Sequence, residues 1–197
     1  KAGAGLLVLS GTNTYSGGTT VSAGTLQGTT HSLRGNIANA AALVFWQDFD
    51  GTYSNILNGS GSLTKNGTGT LTLSGANTYS GLTMLNEGLM VVSGTSVNST
   101  HLVGGGAHLL GTGTLGALIV DGTVHPGAAS NTVGILKTGK VFLSPGGALR
   151  FDITSATGTA GVNWDLITCS DDITVDATEL MPFTVQVVGA PIGFNAA

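Results

Sequence analysis

Few side chains in this sequence could do chemistry. Asp48 and Asp50 stand two apart. A strand would place both on one face, as paired carboxylates that cleave sugars require, although turn or edge positions are the expected reading. Asp171, Asp172 and Asp176 offer oxygen ligands at the density of a weak calcium site. They lack the glycine-bounded loop of an EF-hand, so a solvated acidic face is expected. His31, His101, His108 and His125 follow no local metal spacing and read as surface or turn residues, although coiling could bring His101 and His125 onto neighbouring rungs. Gly111 to Gly116 fits G-x-G-x-x-G. That motif needs a helix directly after it, and Ala117 to Gly122 reads as a strand ending in a turn. No G-x-S-x-G elbow occurs, and Cys169 has no basic neighbour to activate it. The expectation is therefore no enzyme, with no catalytic, cofactor-binding or metal residues.

Composition narrows the elements that could carry these residues. The chain has 33 glycines among 197 residues, only 8% charged residues and 41% hydrophobic ones, with a formal net charge of -4. So dense a glycine content breaks helices, and the hydrophobic share excludes ordinary disorder. Six scattered Lys and Arg residues give nucleic acid no basic face. No apolar run is long enough for a membrane-spanning helix. One cysteine excludes an internal disulfide framework. The start at Lys1 suggests a processed or excised chain.

Self-similarity dominates the sequence. Gly5 to Gln27 aligns without a gap on Gly69 to Val91, 64 residues later, with about half the positions identical. Asn13-Thr14-Tyr15-Ser16-Gly17 recurs as Asn77-Thr78-Tyr79-Ser80-Gly81. Short alternating segments such as Leu71-Thr72-Leu73, each bounded by Gly, Asn or Ser, read as strands. An offset of 64 suits about three solenoid rungs of roughly 20 to 25 residues. In such a parallel solenoid, Leu7, Leu9, Val21, Leu26, Leu43, Phe45, Leu71, Leu73 and Leu85 are expected inside. Asn13 and Asn77 become candidates for stacked amide ladders, or for turns bonded to their own backbone. Tyr15 and Tyr79 are expected at a coil corner.

The phrase from Gly67 to Gly81, and its copy ending at Thr19, resembles the autotransporter-associated β-strand repeat of bacterial passenger domains. Asp50 to Gly67 is similar to the segment that commonly precedes it, and Gly111 to Leu115 and Gly122 to Gly127 are similar to the closing coils. The resemblance covers about residues 1–155. It implies an all-β, right-handed parallel β-helix at the cell surface or outside a Gram-negative cell, usually a stalk or scaffold. Trp164 to Val185 resembles the closing segment of repeat-bearing surface proteins that lack a translocator barrel.

Two segments are expected, a solenoid over 1–155 and a C-terminal β cap or assembly segment over 156–197. Phe183, Val185 and Val187, on an apolar and uncharged strand, are the assembly residues. They suit an exposed β edge on another copy, giving head-to-tail self-association into filaments. The functional expectation is a non-enzymatic, stiff surface scaffold. The alternatives are an adhesin or carbohydrate-binding module gripping a cell-surface glycan and, after it, a polysaccharide-cleaving enzyme.

Overall fold

Segments in which every second residue is apolar can bury one face of a strand, and glycine corners let the chain turn and stack the next strand on the first. In the computed structural model, which describes residues 1–155 and 157–189, this produces a parallel β-solenoid with three faces. Among the described residues there is no helix.

The first face is a nine-stranded sheet. It comprises β1 (Leu6–Val8), β3 (Thr25–Gly28), β5 (Ala42–Trp46), β8 (Ser62–Asn66), β10 (Thr83–Leu85), β13 (His101–Val103), β16 (Leu118–Val120), β19 (Val141–Leu143) and β22 (Ile173–Val175). The second face stacks β6 (Gly51–Tyr53), β9 (Thr70–Leu73), β11 (Gly88–Val92), β14 (Ala107–Gly111), β17 (Thr123–Pro126), β20 (Ala148–Asp152) and β23 (Thr184–Val188). The third holds β2 (Thr19–Val21), β4 (Ile37–Asn39) and β7 (Leu57–Asn58), then β12 (Thr95–Ser96), β15 (Thr114–Leu115), β18 (Ile135–Thr138) and β21 (Leu166–Cys169). Between β7 and β12 the third face is bridged by the Asn77 segment, through Thr78 N–H to Leu57 O at 2.9 Å and Asn77 N–H to Thr95 O at 2.9 Å. β21, β22 and β23 each extend one face.

Parallel pairing stacks inward side chains in rows. One row runs Leu26, Leu43, Leu63, Thr83, His101, Leu118 and Val141. Its neighbour runs Phe45, Lys65, Leu85, Val103, Val120 and Leu143. On the second face Leu71, Met90, Leu109 and Val124 form another row. All are buried, polar members included. At about 25 cal/mol per Å² of apolar surface, these rows are the main stabilising term.

Leu71 and Leu73 lie fully inside, and Leu9 packs half-buried against the core. Leu7, expected inside, is 41% exposed. It heads the inward row through Leu26, but β1 is an edge strand with a neighbour on one side only, so half of its packing is missing.

Register also shows what a 64-residue offset means. Leu6 pairs with Thr25, Thr25 with Ala42 and Ala42 with Ser62, so three coils end at Ser62. Thr70, the counterpart of Leu6, lies farther along, on the second face. The two copies are thus three coils and one face apart. Asn13 and Asn77 accordingly lie on different faces and do not stack on each other.

Candidate functional site

The repeated pentapeptide builds a corner. Asn77 and Tyr79 point inward and are buried, while Thr78 and Ser80 are exposed. The Asn77 Oδ1 accepts from Leu57 N–H at 2.9 Å and its Nδ2 donates to Gly75 O at 3.2 Å, which ties two coils together through backbone groups. The Tyr79 hydroxyl lies 2.6 Å from Thr83 Oγ1, itself 2.8 Å from Ser99 Oγ. Burial pushes the Tyr79 phenol above its usual range. In the first copy Asn13 Nδ2 donates to Ser32 O at 2.9 Å, and Tyr15 Oη lies 3.0 Å from Thr19 Oγ1. The same Tyr-to-Thr contact is therefore made at two different corners. Gly17 and Gly81 follow it. An amide ladder does occur, at Asn86 Nδ2 to Asn66 Oδ1, 2.9 Å.

A repeated lysine went unrecognised in the sequence. Lys65 is fully buried, and its ammonium donates to Asn66 O at 3.0 Å, Gly67 O at 2.6 Å and Glu87 O at 3.2 Å. Lys1 donates to Ala2 O at 3.4 Å, Gly3 O at 2.6 Å and Ala23 O at 2.7 Å, the same three carbonyls 64 residues earlier. Carbonyl dipoles stand in for water around the Lys65 charge, so that buried cation needs no carboxylate. Desolvation still holds the Lys65 ammonium below its usual value. Gly24 and Gly88 complete the device at φ +69° and +72°, because a Cβ on either would press against the carbonyl turn that the lysine grips. Extending the alignment four residues upstream, Lys1-Ala-Gly-Ala against Lys65-Asn-Gly-Thr, would have found it.

The acids singled out by spacing are used otherwise. Asp48 accepts from Trp46 Nε1 at 3.1 Å and Thr68 N–H at 3.3 Å. Asp50 accepts from Thr70 N–H at 2.9 Å, and the Thr70 hydroxyl first and that N–H second lower its pKa. Both cap backbone donors of the next coil. Asp171, Asp172 and Asp176 are exposed, and among the described residues they do not gather into a three-ligand group. Cys169 is half-buried, its thiol 2.6 Å from Gly139 O. His31 stacks on Phe49 at 4.5 Å.

Two histidines are buried instead of exposed, His101 in the core and His125 on the outer side of its strand. His101 is 1% exposed and neither ring nitrogen has a hydrogen-bond partner. Burial drags its pKa down to about 4. His125, on the second face, meets two carboxylates from distant segments, with Nε2 3.0 Å from Asp152 Oδ2 and 3.1 Å from Asp165 Oδ2. Asp165 is further held by Gly134 N–H and Asp152 N–H, both at 2.7 Å, and burial raises its pKa. Among the described residues this is the only grouping of three such ligands. Sequence reasoning missed it because Asp165 is brought in by the long excursion between β20 and β21.

At the ends of the solenoid the inward rows run out. Val185 and Val187 pair with Leu149 and Phe151 and are more than half exposed, as are Ile173 and Val175 beside them. Phe183 packs partly buried against the core.

Comparison with known proteins agrees with the corners. A family described as passenger-associated-transport-repeat matches residues 1–27 and 63–92. The chain is also similar to the adhesin BmaC autotransporter of Brucella suis biovar 1 (strain 1330), with 43% identity over 103 residues. That match covers 49% of this chain and 3% of the relative, so the chain spans a small fraction of the protein it resembles. Both matched segments begin at or near the carbonyl-bound lysine and end past the positive-φ glycine, so the two stretches of this solenoid that repeat the lysine and corner geometry are the ones similar to the passenger-associated-transport-repeat.

Proposed function

We propose that this chain is part of a passenger-type shaft on the surface of, or outside, a Gram-negative cell, and that its work is structural and not catalytic. The observation that carries this reading is the match of two passenger repeats to an unbroken solenoid core. Continuous rows of buried Leu, Val and Met make such a shaft stiff, because bending it would open the packing between coils.

The finer reading is end-to-end association. Among the described residues, Leu7 at one end and Val185 and Val187 at the other belong to inward rows that no further strand covers. Another coil would bury them, whether from a longer chain or from a second copy. For the second copy, the test is sedimentation and electron microscopy of residues 1–197 at rising concentration. Filaments one solenoid wide, abolished by Val185→Lys with Val187→Lys, support it. A species that stays monomeric throughout refutes self-association.

A second reading has one observation of its own. Trp46 and Phe49 are exposed beside a recess lined by Val8, Leu9 and His31, a surface on which a sugar ring could stack, and the similar protein is an adhesin. Loss of glycan-array binding on Trp46→Ala would favour it.

A further inference from the structure

The strongest unassigned feature is the buried meeting of His125, Asp152 and Asp165. His125 comes from β17, Asp152 from the end of β20 on the adjacent coil, and Asp165 from the return of the excursion that leads into β21. Their donor atoms lie within 4.8 Å of one another, and all three residues are buried. A protein-only account of this centre is incomplete. Nε2 of an imidazole carries at most one hydrogen, yet two carboxylate oxygens, at 3.0 and 3.1 Å, aim at it. One hydrogen serves both only as a divided and weaker bond, and two carboxylates brought together away from water repel. A cation between the three atoms answers both demands.

The carboxylates are also oriented from behind. Asp152 Oδ1 faces the Arg150 guanidinium at 3.5 Å, which leaves Oδ2 for the centre, and Arg150 is drawn outward by Asn131 at 2.6 Å. Gly134 N–H holds Asp165 Oδ1. Such outer hydrogen bonds fix the ligands of metal centres. His125 and Arg150 both line an outer recess with His108, Thr123 and Gln186, which supplies an entry path and room for water on the open side.

We propose that His125 Nε2, Asp152 Oδ2 and Asp165 Oδ2 form a binding site for a first-row divalent metal ion such as Zn²⁺. One imidazole with two carboxylates suits such an ion, whereas Ca²⁺ takes six to eight oxygen ligands. Its charge balances both aspartates. The bound ion ties the excursion after β20 to the two coils beneath it, so metal binding stabilises the C-terminal coils.

The test uses the whole chain, stripped with a chelator and dialysed, with Zn²⁺ alone and then Co²⁺ alone as probes. The expected result is uptake of one equivalent, a rise of several degrees in Tm with Zn²⁺, and visible Co²⁺ bands of an oxygen and nitrogen site. Asp165→Asn and His125→Gln should each reduce affinity by at least tenfold. If either variant fails to fold, broadening of the His125 ring resonances by Co²⁺ in the parent protein replaces it. No uptake, or uptake and Tm response unchanged in a folded Asp165→Asn variant, overturns the proposal, as does Co²⁺ broadening confined to His31 or His108.

Discussion

Acid should destabilise this solenoid through one core residue, His101. Its ring sits in an inward row between Thr83 and Leu118, 1% exposed, with its pKa lowered from 6.5 to about 4. A base whose folded pKa is depressed is protonated more readily in the unfolded chain. Its stabilising share is therefore intact above pH 6.5 and drains away as the pH falls toward the folded value. The linkage relation gives a loss of about 2 kcal/mol between pH 8 and pH 5, and about 3 kcal/mol by pH 4. Carboxylates titrate in the same range, so the assay is a difference. Denaturant unfolding of the parent and of His101→Leu is measured at both pH values. The variant should be more stable than the parent by about 1 kcal/mol at pH 8, because it removes a buried N–H without an acceptor. That margin should grow by about 2 kcal/mol at pH 5. A margin that stays constant within about 0.5 kcal/mol would show that His101 reaches water or a partner in solution, and the reasoning would fail.

Three further outcomes follow from the packing. Leu73→Asp places a carboxylate in a fully buried position and should cost several kcal/mol, so a Tm within a degree or two of the parent contradicts the register. Lys65→Met leaves Gly67 O and Glu87 O without the ammonium, whereas Asn66 O keeps Gln47 N–H at 2.9 Å; the expected loss is about 2 kcal/mol by urea titration. Because burial lowers the Lys65 pKa, the parent should gain on that variant as pH rises through the window beneath 10.5. Gly88→Ala forces a Cβ onto a φ of +72° and against the Gly67 carbonyl, for a loss of about 1–3 kcal/mol, while Gly106→Ala, with open space around it, should be near neutral in the same titration.

The fold was legible because its cause is local. Alternation in Thr70-Leu71-Thr72-Leu73, glycines at the corners and a long gapless repeat each point to stacked parallel strands, and the inward leucines of the second copy follow from period two. Other features depend on distances along the chain that no local pattern encodes. Coil length varies, as the pairs Leu6 with Thr25 and Thr25 with Ala42 show, so the face on which Asn77 would land could not be read from an offset. Leu7 alternates like Leu71, but among the described residues no strand pairs on the other side of β1. The His125 centre joins residues up to forty positions apart across an excursion with no pattern of its own. Lys65 looked like one of six scattered charges until its carbonyl partners were seen.

The one-face displacement between the two repeats has a consequence for any longer array. Were further copies to follow at the same 64-residue spacing on coils of similar length, each would begin a third of a revolution beyond the last, and three would be needed before the pattern returned to its starting side. The exposed Thr78 and Ser80 of successive corners would then trace a spiral thread around the shaft in place of a straight seam. A partner reading one corner would find an equivalent docking point on every side, whereas a rigid, flat partner could engage only every third copy.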